Sequence, residues 1–305
     1  MSLKTYLREL NDRSKPLVSS RLANLSNLSK EGLKLFLETW DRMDTERRRQ
    51  IVSHLVELAD ENCKLNFDDI FFVGLQDADE VVQAKSVEGL WECESRSLID
   101  RLITLLREDS KESVRAAAAT ALGKFAMLAE LGKLRPEDGA KVESELFAVI
   151  DHPKEKSEVK RRAIEAIAPL SQPRVRGTIQ QAYESDDARM RVSAIYAMGR
   201  SADPVWLPTL VRELGNTDAE MRFEAAVACG ELGEEGAVSY LARLVDDLDN
   251  QVQLSAIAAL GKIGSSEAEA ALRKCLNHPN EYIHQAVVEA MEERVFDKDP
   301  FSFEF

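Results

Sequence analysis

One ten-residue line, written over and over at a fixed interval, constrains this chain more than any other feature. It reads MRVSAIYAMG from Met190, MRFEAAVACG from Met221, VQLSAIAALG from Val252 and IHQAVVEAME from Ile283, each start 31 residues after the last. Self-similarity at such a period marks a solenoid, in which each unit buries its apolar side only against its neighbours. A chain of 305 residues therefore need not divide into two globular domains.

Upstream, VQAKSVEGLW from Val82 and VRAAAATALG from Val114 are further copies, and VKRRAIEAIA from Val159 is a weaker one. With the first residue as position zero, position four is Ser86, Ala118, Ala163, Ala194, Ala225, Ala256 and Val287. Position seven is Gly89, Ala121, Ala166, Ala197, Ala228, Ala259 and Ala290. Small side chains there let helices approach closely, while positions zero, five and eight supply bulk to the core. Gly123, Gly199, Gly230 and Gly261 at position nine are expected where the motif helix turns out into the next element. A second amphipathic helix, such as Pro204 to Leu214, separates successive motifs, so each unit is a pair of antiparallel helices.

This pattern, with Asp or Asn before VR- or MR-type starts and a closing ALG-like triplet, resembles HEAT repeats. The short period is similar to that of bilin-lyase-type proteins. The resemblance implies an all-α superhelix of about seven helix pairs over residues 77–292, with motif helices lining the concave surface. Residues 1–76 are helical but diverge from the motif, as expected of an N-terminal cap, and 293–305 form an acidic aromatic tail. That tail either covers the open end of the array or docks on another chain. The spacing from Val114 to Val159 is 45 residues rather than 31, which reads as a longer hairpin or plain loop variation.

Charge narrows the partners. The net charge is −14, of which residues 171–305 carry −10 and residues 1–76 none. Such acidity opposes nucleic acid and anionic membrane, so neither is expected. The partner is expected to be a protein, presenting a basic or an amphipathic segment, and the oligomeric state is left open. Four scattered cysteines without CxxC spacing, no apolar run of membrane-spanning length and an N-terminal MSLKTYLREL lacking a signal-peptide core lead to a cytoplasmic expectation.

Two sets of positions are candidates for a role. Position one carries Arg115, Lys160, Arg191 and Arg222, beside the loop acids Asp109, Asp187, Asp218 and Asp249. These bases are expected to form a structural ladder between turns, as the HEAT resemblance implies, the alternative being a phosphate-binding row. Positions two and six point away from the apolar stripe, toward solvent on the concave side. There the middle units carry Val192 with Tyr196, Phe223 with Val227, and Leu254 with Ala258, flanked by Arg161 with Glu165 and by Gln285 with Glu289. An apolar band rimmed by charge suits a partner surface, unless curvature buries it between neighbouring helices.

No catalytic residue, metal or cofactor is expected. The histidines, His54, His152, His278 and His284, are followed by Leu55, Pro153, Pro279 and Gln285. They therefore supply neither HExxH nor the His-Glu dyads that hold iron in the repeat-built deoxyhypusine hydroxylases. A non-catalytic interaction scaffold follows; the alternative is a lyase-like or chaperone subunit acting on a tetrapyrrole-bearing protein.

Overall fold

The computed structural model describes residues 2–12, 14–109 and 111–298, with side chains as far as Glu292. The aromatic tail singled out in the sequence thus falls outside the described side chains. The described chain is all-helical. It begins with α1 (Leu3–Asn11), α2 (Ser19–Leu22), α3 (Lys30–Trp40), α4 (Thr45–Glu61), α5 (Asp68–Gly74), α6 (Glu80–Gly89), α7 (Arg96–Glu108) and α8 (Glu112–Glu130). There follow α9 (Pro136–Asp151), α10 (Ser157–Ile167), α11 (Pro173–Tyr183), α12 (Ala188–Arg200), α13 (Leu207–Glu213) and α14 (Ala219–Leu232). The chain closes with α15 (Val238–Leu244), α16 (Asn250–Ile263), α17 (Ser266–Cys275) and α18 (Glu281–Lys298). Together these helices make an α-solenoid of HEAT-like pairs.

Local chemistry sets the period. Asp187, Asp218 and Asp249 are the N-caps of α12, α14 and α16, and each carboxylate accepts hydrogen bonds from backbone N–H groups of the first turn. Two of the motif helices end on glycine: Gly233 after α14 and Gly264 after α16 sit in the left-handed region at φ 74° and 62°. The equivalent place after α12 holds Ala202, which takes the same conformation at φ 49° without the freedom of glycine.

Two compact units result: residues up to Ala129 with Leu134–Lys160, and Glu130–Lys133 with the chain from Arg161 onward. Within the first, α4 packs on α6, α3 on α5 and α7 on α9, around fully buried Phe36, Ile51, Leu55, Phe71, Leu102 and Phe125. The 14 extra residues between Val114 and Val159 do not make a long loop. They lengthen α8 to 19 residues and α9 to 16, joined by a short turn. AMLAE and EDGAKVE continue the apolar stripe at helical spacing, so Phe125, Ala126, Leu128 and Val142 are buried.

In the second unit α12, α14, α16 and α18 pack side by side, and α11, α13, α15 and α17 back them one to one. The position-four residues of this row, Ala194, Ala225, Ala256 and Val287, are all fully buried. The position-nine glycines do not end their helices, contrary to the expectation above. Gly123, Gly199, Gly230 and Gly261 all lie within helices. Three of them are points of backbone contact instead. A Cβ on Gly199 would stand 2.6 Å from Ala228 Cα, one on Gly230 2.8 Å from Ala259 Cα, and one on Gly261 3.2 Å from Ala290 Cβ. Each glycine thus receives the position-seven alanine of the next unit. The backing helices touch one another far less. The tightly spaced row is therefore the inner wall of this unit, since a curved stack is shortest on its inside.

Candidate functional site

The inner wall carries the candidate site. Because positions two and six are four residues apart, their side chains stack on one helix face, the face turned away from the backing helices. Tyr196 and Leu254 are each 37% exposed, Ala258 is exposed, and Val192, Phe223 and Val227 are half-buried. Three neighbouring helices, α12, α14 and α16, so offer apolar side chains to solvent in one register. All six residues picked from the sequence lie on this wall.

Polar groups frame the strip, and the structure adds several that the periodicity argument passed over. On the α10 side Arg161 Nε donates to Ser193 Oγ at 2.9 Å, Ser193 Oγ donates to Glu165 Oε1 at 2.6 Å, and Arg162 pairs with Glu165 at 2.9 Å. At position ten a row crosses the wall: Arg200 to Glu231 at 3.5 Å, and Lys262 to Glu231 at 2.5 Å. Glu224 stands apart. It occupies position three, where α12 and α16 have Ser193 and Ser255, and its carboxyl has no hydrogen bond or ion pair among the described residues. Burial, then the charges of Glu165 and Glu220, push its pKa up to about 7. The Tyr196 phenol is also raised, by burial first; Arg200 opposes the rise, while Glu165, Glu224 and Glu231 add to it. These carboxylates therefore lie within electrostatic reach of Tyr196. A substitution of Glu for Ser within the period was the sequence signal for Glu224; its isolation was not readable there.

The position-one bases lie on separate turns, away from the apolar strip. Arg222 donates to Asn216 O and Thr217 O at 2.9 and 3.1 Å, and grips Asp247 of the next turn at 2.8 and 2.7 Å. Asp247 is held below the usual carboxylate range, chiefly by that arginine. Arg115 does likewise with Asp109 O at 3.0 Å and Glu155 at 2.7 Å. Arg191 donates to Ser185 O and Asp186 O at 2.9 and 3.2 Å. The Lys160 ammonium has no ion pair among the described residues. The carboxylates of Asp187, Asp218 and Asp249 cap their own helices, while that of Asp109 accepts from Lys111 N and from Gln83 of α6. Arg48, not singled out in the sequence, repeats the arrangement in the first unit, bonding Met43 O at 2.6 Å and Asp77 at 2.8 Å.

Elsewhere the chemistry is sparse. Among the described residues no group of three or more His, Cys, Asp or Glu is placed to hold a metal ion. Burial pushes the Cys229 thiol up to about 12, which leaves it a core residue at neutral pH. No helix among the described residues is long and apolar enough to cross a membrane. The second unit also has a cleft of about 470 Å³ where the ends of its turns meet, lined by Leu170, Val175, Arg176, Ile179, Asp203 and Trp206. Its one charged couple, Arg176 with Asp203, is already paired at 2.5 Å.

A family profile for HEAT repeats matches residues 70–142, 175–252 and 241–300. This is well over half of the chain, which belongs to the HEAT-repeat family. Among solved structures, the complex of CpcE and CpcF of phycocyanin lyase from Nostoc sp. PCC7120 is similar at 17% identity and a TM-score of 0.56, over 93% of this chain and 97% of that one. At that identity the likeness is one of fold, and it agrees with the short repeat period read in the sequence. YibA from E. coli is similar at 20% identity and a TM-score of 0.48, over 82% of this chain and 91% of that one. Human deoxyhypusine hydroxylase is similar at 16% identity and a TM-score of 0.37, over 96% of each. No curated protein sequence matches the chain.

Proposed function

We propose that this chain is a non-catalytic scaffold that holds a segment of a partner protein along the inner wall of its second unit. The observation that supports it is the solvent-facing register of Val192, Tyr196, Phe223, Val227, Leu254 and Ala258 on three consecutive helices. Apolar side chains in one exposed strip, framed by charged pairs, are what a protein interface core and rim require. Position one is assigned the structural part: Arg115 and Arg222 tie turn to turn, Arg191 holds the loop before its own helix, and Lys160 occupies the same register. The surplus of acid in residues 171–305 favours a basic or amphipathic segment over nucleic acid.

Affinity capture with the wild-type chain and with Tyr196→Asp and Phe223→Asp tests the reading. A set of proteins retained by the wild type and lost with variants that keep their helicity and melting temperature identifies the partner. An unchanged set refutes the wall as the binding surface.

The fold likeness to the phycocyanin lyase complex favours a second reading, an accessory or lyase-like subunit acting on a tetrapyrrole-bearing protein. No residue described above supplies that chemistry, so it ranks second. A shifted, persistent absorbance band after mixing the purified protein with a bilin would raise it to first.

A further inference from the structure

We propose that the partner segment carries a lysine or arginine among its apolar residues, and that its cation seats on Glu224 in the middle of the inner wall. This rests on the wall being the binding surface and adds which residue reads the partner. The argument is one of charge complementarity. Every base framing the strip is already engaged: Arg161 on Ser193, Arg162 on Glu165, and Arg200 and Lys262 on Glu231. Glu224 lacks any such partner, and its charged neighbours are the carboxylates Glu165 and Glu220. A half-buried carboxyl with acids around it and no base is an unfilled half of an ion pair, because isolated charges in such places are costly.

Position favours the same assignment. Glu224 lies one helical turn from Val227, so it borders the apolar strip at mid-wall. Packed helices lie about 8–10 Å apart, so α12 to α16 spans roughly 16–20 Å. An extended segment crosses that width in about five or six residues. Its central residue then lies over α14, with apolar neighbours over Tyr196 and Leu254. A Lys or Arg in that place keeps its aliphatic stem on Phe223 and Val227 and delivers its charge to Glu224. Partner and carboxylate neutralise each other where water is partly excluded, which is where a charge pair discriminates most.

Peptides displayed on phage provide the test, selected separately on the full-length wild type, Glu224→Gln and Phe223→Asp. Peptides enriched on the wild type are expected to place one Lys or Arg between apolar residues. Synthetic versions should lose about 10-fold or more in affinity when that base is replaced by Gln. On Glu224→Gln the preference for a base should vanish while apolar enrichment remains. If the wild type enriches apolar peptides without a base, and these fail on Phe223→Asp, the wall stands and the role of Glu224 is overturned. If no peptide is enriched, or those enriched bind Phe223→Asp equally well, the binding surface itself is refuted.

Discussion

Replacing Gly230 by alanine separates two effects that a single methyl group exerts in a helix. In an open helical position the change is favourable by up to about 1 kcal/mol, because glycine holds the greater backbone entropy when unfolded. At Gly230 the new Cβ would stand 2.8 Å from Ala259 Cα and 3.0 Å from its Cβ. Ordinary carbon contact begins roughly 0.6–1 Å further out, and the first of those atoms is backbone, which cannot rotate away. α14 must therefore move off α16, opening an interface that fully buries Ala225, Ala256 and Leu260. Overpacking of this kind costs about 1–3 kcal/mol, which outweighs the propensity gain. A net loss of about 1–2 kcal/mol is expected. Gly177 is the internal control: it lies within α11 with nothing inside 4 Å of an added Cβ, so Gly177→Ala should gain about 0.5–1 kcal/mol. Urea unfolding followed by circular dichroism measures both. If Gly230→Ala proves as stabilising as Gly177→Ala, the helices of the inner wall are not in backbone contact, and the account of its curvature fails.

Further outcomes follow from individual contacts. Ala202→Gly should stabilise by about 0.5–1 kcal/mol, because it relieves a left-handed residue at φ 49° in the place Gly233 and Gly264 hold one and two turns on; a lower melting temperature would contradict this. Arg222→Met leaves the Asp247 carboxylate, 8% exposed, without its partner and should cost about 2–4 kcal/mol by chemical denaturation. Double substitution with Asp247→Asn should recover part of it. Glu224 makes stability fall with rising pH. Its folded pKa of about 7 lies above the ordinary 4.5, so between those values the folded chain binds more protons than the unfolded one. The charged groups acting on it are Glu165 of α10 and Glu220 of its own helix, and Glu224 in turn raises the Tyr196 phenol of α12, while Ser255 holds its register position on α16. Relative to Glu224→Gln, the wild type should lose on the order of 2–3 kcal/mol from pH 4.5 to 8. Parallel pH profiles for the two would show that Glu224 is not buried among acids.

The solenoid was legible because its information is local and repeated. A 31-residue period fixes helix pairs, and small residues at positions four and seven mark the faces where those helices meet. The exposed strip was legible for the same reason, since position on a helix wheel separates Tyr196 and Leu254 from the buried Ala194 and Ala256. The role of position nine is not legible in the sequence, because a glycine near the end of a motif has two uses, a left-handed cap and a close contact. Which applies depends on a helix 31 residues away. The extra residues after Val114 break the period, which leaves a longer hairpin and plain loop variation both open; the stripe of apolar side chains that continues through them into α8 and α9 makes them the longer hairpin.

The sequence by itself determined the helices, the pairing plan and the acidity of the second half. All of these are set by neighbours within a few residues or by simple summation. Only tertiary structure decided that Arg222 reaches Asp247, that Gly230 meets Ala259, and that the Glu224 carboxyl, beside Glu165 and Glu220, has no ion pair among the described residues. Those facts depend on which side chains of successive turns come within a few ångströms. A repeat specifies that each turn meets the next, but the identity of the facing residues belongs to the packed wall.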